Sequence, residues 1–450
     1  MKKIGSILKN KEIMNRILFT VLILFIFRIG CQITVPGVEI DQDQLGKYLE
    51  GNNILSLMNI LGGGTLQTFS IFALGVSPYI TAQIIVELLS SDVLPALTEL
   101  KRQGQHGRKK IDLTTRYLAL MLGAVQAYGI IKTMEASELV KFDAGSTPWL
   151  TYTYIVVVML AGAMIVMWLG DQISVKGIGN GISMIIFAGI VCSLPTQISN
   201  AFAKWILDTQ GISDAATITG VFEFLLYIFA FLLIIAFVTF IELSKRKIPV
   251  QHSGKGGQTQ SMAKASFLPI KINSAGVIPV IFASSIMMAP SVVVAFMGEN
   301  SEAAWLNIFS SSKLTDMGNG VYIPWGLIIY VSLTIAFTFF YANIQINPQQ
   351  LAENFQKNGS YIPGVRPGNE TERYVRKVLN RVTFIGAIAL AAIAALPSIL
   401  TLTIFADYPS LALGGTGLII VVGVALELNN QVDGLLAGKS FEEVVAGGGR

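Results

Sequence analysis

Five apolar stretches of this chain, at 152–169, 181–203, 274–297, 324–342 and 382–404, contain no charged side chain. A helix needs about 20 predominantly apolar residues to cross the roughly 30 Å hydrocarbon core of a bilayer. The five charge-free stretches meet that requirement, and five further apolar stretches carry only a few charges. The sequence therefore predicts ten membrane-spanning helices, at 17–35, 71–91, 115–133, 152–169, 181–203, 220–241, 274–297, 324–342, 382–404 and 411–428.

The composition of the whole chain agrees with a membrane protein. Only 13% of the 450 residues are charged, against about 25% in soluble domains, so soluble domains of this size could not cover their surfaces. The only two cysteines, Cys31 and Cys192, lie in apolar runs, which excludes a disulfide-rich secreted scaffold. The first apolar stretch is too long for the core of a signal peptide and has no small-residue cleavage site, so we expect it to be retained.

Lysine and arginine are distributed unevenly between the two sides of the predicted spans. With the N-terminus inside, 26 of the 32 basic residues fall in inside segments and five in outside loops, while Arg28 lies within the first span. Such an excess marks the cytoplasmic side of a membrane protein. Because the number of spans is even, the sequence predicts that both termini are cytoplasmic.

The second and seventh spans share a short motif. Residues 75–82 read GVSPYITA and residues 276–283 read GVIPVIFA, so that five of eight positions agree. These are the second helices of two halves if the ten spans divide as five plus five. An odd number of spans in each half forces the halves into opposite orientations, as in the inverted repeats of many transport proteins. Chance similarity between two proline-containing helices is the alternative.

The predicted spans contain few groups that could perform chemistry. Both histidines, His106 and His252, fall in predicted inside loops, and the sequence GKS at 438–440 lacks the first glycine of a phosphate-binding loop. We therefore expect no catalytic residues, no metal site and no cofactor. A coupled solute carrier is disfavoured because no carboxylate cluster lies at mid-membrane. Arg28 is the deepest charge and is expected to pair with backbone carbonyls or a polar neighbour.

Two kinds of segment between the spans are unusual. Residues 59–66 (NILGGGTL) are too short to cross the membrane and too apolar for an exposed loop, so they form either an ordinary surface loop or a re-entrant segment that blocks a path. The loops at about 242–273 and 343–381 are long and basic. Their length suggests docking of a large cytosolic partner, and the Pro- and Gly-rich run at 361–368 predicts a stiff, protruding turn.

Several motifs in this order closely resemble those of the SecY family (the SecY/Sec61-alpha family), whose bacterial members are the pore subunits of the Sec protein-translocation channel. The resemblance extends over essentially the whole chain. The motifs are FRIG at 27–30, PG at 36–37, FALGVSPYI at 72–80, GIGNGIS at 177–183, IPVIFASS at 278–285 and PGVRPG at 363–368.

The resemblance implies an all-α membrane protein with two inverted five-helix halves, 1–210 and 211–450, around an hourglass pore. It implies a gated protein-conducting channel of the bacterial cytoplasmic membrane that passes unfolded secretory proteins across the membrane and releases membrane segments sideways into lipid. The alternative is an inverted-repeat secondary solute transporter. By motif position, the narrowest part of the pore is a ring formed by Val76, Ile80, Ile182, Ile186, Ile281 and Ile420. Family members often have isoleucine where Val76 stands, which leaves the ring apolar.

The resemblance also assigns the remaining sites. Residues 59–70 match the family's plug, here Asn59, Ile60, Leu61, Gly62, Gly63, Gly64, Thr65 and Leu66 with the residues that follow. Thr81 and Ser285 fall on the lateral gate, between helices expected to be kinked near Pro78 and Pro279. Arg366 matches the arginine required by the SecA motor, and Lys245, Arg246 and Lys247 lie in the loop used by SecA and ribosomes. SecE and SecG are the implied membrane partners, and signal sequences and unfolded precursors are the substrates.

Overall fold

The computed structural model of the chain describes most of the predicted spans and the segments that join them. The described residues are 10–40, 44–45, 59, 62–90, 94–136, 140–142, 148–207, 214–252, 266–297, 308–309, 315–316, 322–403 and 415–447. Ile60 and Leu61 of the predicted plug, and residues 208–213 around the predicted boundary between the halves, lie outside them.

Helices dominate the described chain. They are α1 (Lys11–Gly30), α2 (Ser77–Leu89), α3 (Pro95–Arg102), α4 (Gln105–Ala136), α5 (Pro148–Lys176), α6 (Gly181–Phe202), α7 (Asp214–Leu243), α8 (Ile278–Met297), α9 (Trp325–Gln345), α10 (Pro348–Lys357), α11 (Asn369–Thr403) and α12 (Gly415–Gly447). All but α3 and α10 coincide with the ten predicted spans. Among the described residues, eight of these ten are long and apolar enough to cross a membrane; α2 has only 13 residues, and α8 runs for 20.

Asparagine side chains cap the N-termini of three of the helices. The Asn10 side chain accepts a hydrogen bond from the Glu12 amide at the start of α1, and Asn180 does the same for Ile182 at the start of α6. Asn347 accepts from two amides of α10. Each bond satisfies backbone donors that the first turn of a helix leaves without a partner.

The helix packing repeats between the two halves of the chain. In the first half, five pairs of helices are in contact: α1 with α5, α1 with α6, α2 with α4, α4 with α5, and α5 with α6. The second half has the same five contacts when α7, α8, α9, α11 and α12 take the places of α1, α2, α4, α5 and α6. Contacts between the halves are made by α6 with α12 and by α8 with α2 and α4. Since each half has five spans, the halves run in opposite directions through the membrane.

The repeated motif adopts the same backbone conformation at both of its occurrences. Gly75 and Gly276 both have positive φ, at 53° and 65°, and the proline three residues later stands in the first turn of α2 or α8. The expected kinks at Pro78 and Pro279 are therefore wrong. Both prolines stand at the start of a helix, because a proline at that place needs no backbone hydrogen bond. Thirteen residues of α2 extend only about 20 Å, so the helix starts partway across the membrane.

Seven short strands lie in the described segments that connect the helices. They are β1 (Val38–Ile40), β2 (Val140–Phe142), β3 (Lys245–His252), β4 (Ser266–Lys271), β5 (Thr315–Asp316), β6 (Tyr322–Ile323) and β7 (Ser360–Tyr361). All pairs are antiparallel: β1 with β2, β5 with β6, and a three-stranded sheet in the order β4-β3-β7.

The two long basic loops form one folded unit, here called the loop module. It consists of β3, β4, α10, β7 and the start of α11. Its own apolar core contains the buried residues Ile248, Ile270, Ile362, Val375 and Leu379. The module lies on the side of the bundle where α1 begins, which we call the N-side.

A close approach between α5 and the chain before α2 generates a stability prediction. A Cβ atom added to Gly162 would collide with the backbone carbonyl of Ile71, whereas one added to Gly434 of α12 would meet nothing within 4 Å. Alanine favours a helix over glycine by about 1 kcal/mol at either position. We expect Gly434→Ala to keep or raise the thermal denaturation midpoint in detergent, and Gly162→Ala to lower it by several degrees because the carbonyl must move. Equal midpoints for the two variants would contradict this packing.

Candidate functional site

An apolar cluster between the two halves contains all six residues of the predicted ring. We call it the central cluster; α1, α2, α5, α6, α8 and α12 contribute to it. The ring positions in it are the buried Val76, Ile80, Ile186 and Ile420 and the partly buried Ile182 and Ile281. Residues far apart in sequence thus meet where α2, α6, α8 and α12 converge.

Helical geometry explains how these side chains converge. Ile182 and Ile186 are four residues apart on α6 and therefore lie on one face, one turn apart. Val76 precedes the first turn of α2, and the Ile80 amide donates to its carbonyl at 3.0 Å. A cluster of branched apolar side chains offers no hydrogen bond to water or ions, and such constrictions exclude both by dewetting.

Val277 also belongs to the central cluster, although the sequence prediction of the ring did not include it. Val277 occupies in the second copy of the repeat the place that Val76 occupies in the first. Its Cγ2 methyl group packs on Gly423 of α12, where an added Cβ atom would lie only 2.8 Å from that methyl carbon. The repeat itself pairs Val76 with Val277 and Ile80 with Ile281. That pairing is the signal that could have identified it.

The glycine segment, residues 59–66, forms a closed turn in its described part. The Asn59 side-chain oxygen accepts hydrogen bonds from the Leu66 and Gln67 amides, both at 3.1 Å. The Gly64 amide donates to the Asn59 carbonyl at 2.7 Å. Gly63 and Gly64 have φ of 78° and 84°, a conformation that residues with a side chain rarely adopt.

The glycine segment packs backbone to backbone on α6. A Cβ built on Gly63 would lie 2.8 Å from the Cα of Gly189, and one built on Gly189 would lie 2.7 Å from the Cα of Gly63. Both positions therefore require glycine. Gly189 stands one turn along α6 from Ile186, so the glycine segment covers the ring residues from the side opposite the N-side.

Arg28 forms the expected bond to a backbone carbonyl. Its Nη1 donates to the carbonyl oxygen of Gly63 at 2.8 Å. The neighbouring residues are apolar: Phe27 is buried and its ring stacks on Phe72, with centroids 6.0 Å apart. The sequence showed that Arg28 needed a polar partner, but it did not show that the partner is the glycine segment.

The chain that follows the glycine segment is fixed beside the end of α1. The Val35 amide donates to the Phe69 carbonyl at 3.1 Å and the Ile71 amide to the Ile33 carbonyl at 2.9 Å. Leu66 and Phe69 are fully buried against the ends of α4 and α5. In contrast, the buried hydroxyl of Thr65 has no hydrogen-bond partner among the described residues.

The two predicted gate residues do not bond to each other. The Thr81 hydroxyl donates to the Ser77 carbonyl at 3.1 Å, and the Ser285 hydroxyl donates to the Ile281 carbonyl at 2.9 Å, each within its own helix. Both side chains are partly buried, and α2 and α8 are in contact. Beside them, Phe282 of α8 packs edge to face on Phe337 and Tyr341 of α9.

The predicted partner-binding residues lie on the surface of the loop module. Lys245, Arg246 and Lys247 occupy the first positions of β3, and their side chains are exposed. Arg366 is exposed in a turn between Gly364 and Gly368, whose φ values are 81° and 99°. The buried Thr371 hydroxyl donates to the Arg366 carbonyl at 2.9 Å, which fixes the backbone while the side chain points away.

In the part of the chain that the structure describes, no group of three or more histidine, cysteine or acidic side chains is placed to hold a metal ion.

Two comparisons concern the sequence. A model of the SecY family matches residues 70–429, well over half of the chain. The protein translocase subunit SecY of Mycoplasma capricolum is 40% identical, over 98% of this chain and 91% of its own length. The protein translocase subunit SecY of Bacillus subtilis is 41% identical, over 98% of each chain.

Solved structures agree in fold. The structure of a protein-conducting channel matches with a TM-score of 0.65 and 18% identity, over 94% of this chain and 92% of that one. A structure concerned with the SecY plug domain, which stabilises the closed state of the translocation channel and maintains a membrane seal, matches with a TM-score of 0.62 at the same identity and coverage. The predicted fold class is confirmed: an all-α, multi-pass membrane protein of ten helices in two inverted five-helix halves around a central pore. On the family match and on relatives about 40% identical over nearly its full length, this chain belongs to the SecY family.

Proposed function

We propose that this chain is the central subunit of a gated protein-conducting channel. It passes unfolded secretory proteins across the bacterial cytoplasmic membrane and releases membrane-protein segments sideways into lipid. One observation carries the proposal: an apolar cluster at the junction of the halves is covered by a separate glycine-rich backbone segment. That arrangement suits a path that must stay sealed when empty and widen for a chain of any sequence.

In this proposal the six ring residues form the constriction. Branched apolar side chains present no fixed hydrogen-bonding groups, so a translocating chain finds no binding site there. They also deform around chains of different bulk, because dispersion contacts depend little on direction. The ring closes around the substrate, and ions stay excluded.

The glycine segment acts as the plug. Its seated position is supported by the Asn59 turn, by the contact of Gly63 with Gly189 and by the Arg28 hydrogen bond. The buried Thr65 hydroxyl without a partner works against that position, since an orphaned polar group costs about 1–3 kcal/mol. A plug that is stabilised by only a few contacts and destabilised by one unpartnered hydroxyl is suited to opening when a substrate arrives.

The lateral gate lies between α2 and α8, on which Thr81 and Ser285 stand. Because both hydroxyls bond within their own helices, the two helices can separate without leaving either hydroxyl without a partner. The halves 1–210 and 211–450 would then move as two units, with the segment between α6 and α7 joining them.

The N-side is cytoplasmic in this proposal, and both termini lie there. The exposed basic residues Lys245, Arg246, Lys247 and Arg366 give the loop module a surface for the SecA motor and the ribosome. SecE and SecG are the membrane partners, and the surrounding bilayer receives released segments. The chain itself is a passive conduit without catalytic chemistry or cofactor, and its partners supply the energy.

Reconstitution tests the proposed function. The purified chain is placed in vesicles with SecE, and SecA, ATP and an unfolded secretory precursor are added outside. We expect the precursor to become protected from added protease, and the protection to be lost when ATP is omitted. A folded, vesicle-inserted complex that protects no precursor would contradict the channel, while ion-gradient-driven uptake of a small solute would favour the carrier.

The ring generates a conductance prediction. A charge at Ile281 or Ile420 would bring water into the constriction, so Ile281→Asp and Ile420→Asp should each raise the resting ion conductance several-fold in planar bilayers. The control is Ile420→Leu, which keeps the volume and the apolar character and should remain as tight as the unchanged channel. Resting conductance that is equal in all four proteins, each assembled with SecE, would argue against a pore position.

The exposed turn of the loop module generates a separate prediction. Arg366→Glu should abolish SecA-driven protection of the precursor while assembly with SecE and thermal stability stay unchanged, because the side chain contributes only charge at the surface. Arg373→Glu, an equally large change at an exposed position of α11, is the matched control and should retain transport. Retained transport in Arg366→Glu would refute the assigned role.

A further inference from the structure

Arg28 is a charged side chain inside the first membrane-spanning helix. Such charges are costly in a membrane and need a partner. Among the described residues no carboxylate forms an ion pair with Arg28. Its hydrogen bond beyond α1 is the one from Nη1 to the Gly63 carbonyl, at 2.8 Å.

The acceptor of this bond belongs to the segment that has to move. Gly63 lies between α1 and α6: the position of a Cβ on Gly63 is 2.8 Å from the Gly189 Cα and 3.7 Å from the Phe27 ring. When the glycine segment leaves, Gly189 loses its cover and Arg28 loses the carbonyl together. A charge-assisted hydrogen bond is roughly twice as strong as a neutral one, so its loss opposes the movement.

Departure of the glycine segment also changes what the path contains. The guanidinium contacts Gly63, and Gly63 lies against α6 one turn beyond the ring residue Ile186. Once the segment has left, the space it filled connects the ring to the guanidinium. A positive charge without a paired carboxylate would then face the path just beyond its narrowest part.

We propose that Arg28 has two successive roles: it latches the closed plug through the Gly63 carbonyl, and it becomes the fixed positive charge of the open path. The second role makes the open path favour anions and disfavour positively charged segments of a passing chain. This inference rests on the proposed channel function and on the proposed plug.

The latch is tested on the complete chain assembled with SecE in planar bilayers. Arg28→Gln keeps a neutral donor and removes the charge, and it should raise the frequency of spontaneous openings about tenfold, as expected for losing a hydrogen bond to a charged group. Arg28→Lys keeps the charge but not the planar, forked donor, and should give an intermediate frequency. The matched control is Arg16→Gln on the same helix, where Arg16 pairs with Glu12 at 3.2 Å on the N-side, and it should open as rarely as the unchanged complex.

The fixed charge is tested after removal of residues 61–66, which takes away the plug and should make openings of the path more frequent. Under a potassium chloride gradient, the reversal potential gives the permeability ratio of chloride to potassium. We expect Arg28→Gln in this background to lower that ratio by roughly a factor of two or more, and Arg28→Lys to retain it. The Arg16→Gln control should not change it.

The possible outcomes separate this inference from the proposed function. If the unchanged complex protects precursors but Arg28→Gln opens as rarely as Arg16→Gln, the latch is refuted and the channel stands. An unchanged permeability ratio in the deletion background refutes the fixed charge. If no variant or parent protects a precursor while Arg28→Gln still loosens the closed state, the translocation function fails and the latch stands. Arg28→Lys decides the latch should Arg28→Gln fail to assemble.

Discussion

A stretch of non-helical backbone inside a membrane protein must find partners for its peptide groups within the protein, and this requirement shapes the centre of the fold. The chain from Gly63 to Val76 lies beside the spans without being a helix, so its amides and carbonyls are bonded by Asn59, by the end of α1 and by Arg28. Because Gly63 and Gly189 lack side chains, this backbone can lie directly on α6. The cover that this segment forms over the central cluster depends on that contact.

The repeat determines where α2 and α8 begin. Each copy uses a glycine with positive φ followed by a first-turn proline, so α2 and α8 each begin after a length of non-helical chain. Their early residues, Val76 and Ile80 in one half and Val277 and Ile281 in the other, enter the central cluster. The same glycine–proline motif, present once in each inverted half, therefore brings apolar residues of both halves into the central cluster.

Much of this fold could be predicted from the sequence because lipid imposes simple rules on length and charge. All ten spans, the division into five plus five and the need of Arg28 for a backbone carbonyl or a polar neighbour follow from those rules. Pro78 and Pro279 were misread as kinks, because the sequence does not show whether a proline lies within a helix or at its start. The sequence did not reveal that the two basic loops fold together through the pairing of β3 with both β4 and β7, since strand pairing between distant segments leaves no local pattern.

By itself the sequence determined which segments are apolar enough for the membrane, how the basic residues are divided between its sides, and which motifs mark the SecY family, because each of these depends on residue type and spacing along the chain. Only the tertiary structure decided that the six ring candidates share one cluster, that Gly63 packs on Gly189, and that the Arg28 side chain donates a hydrogen bond to the Gly63 carbonyl. These contacts join residues up to several hundred positions apart. Their distances are set by how whole helices pack, which no short stretch of sequence encodes.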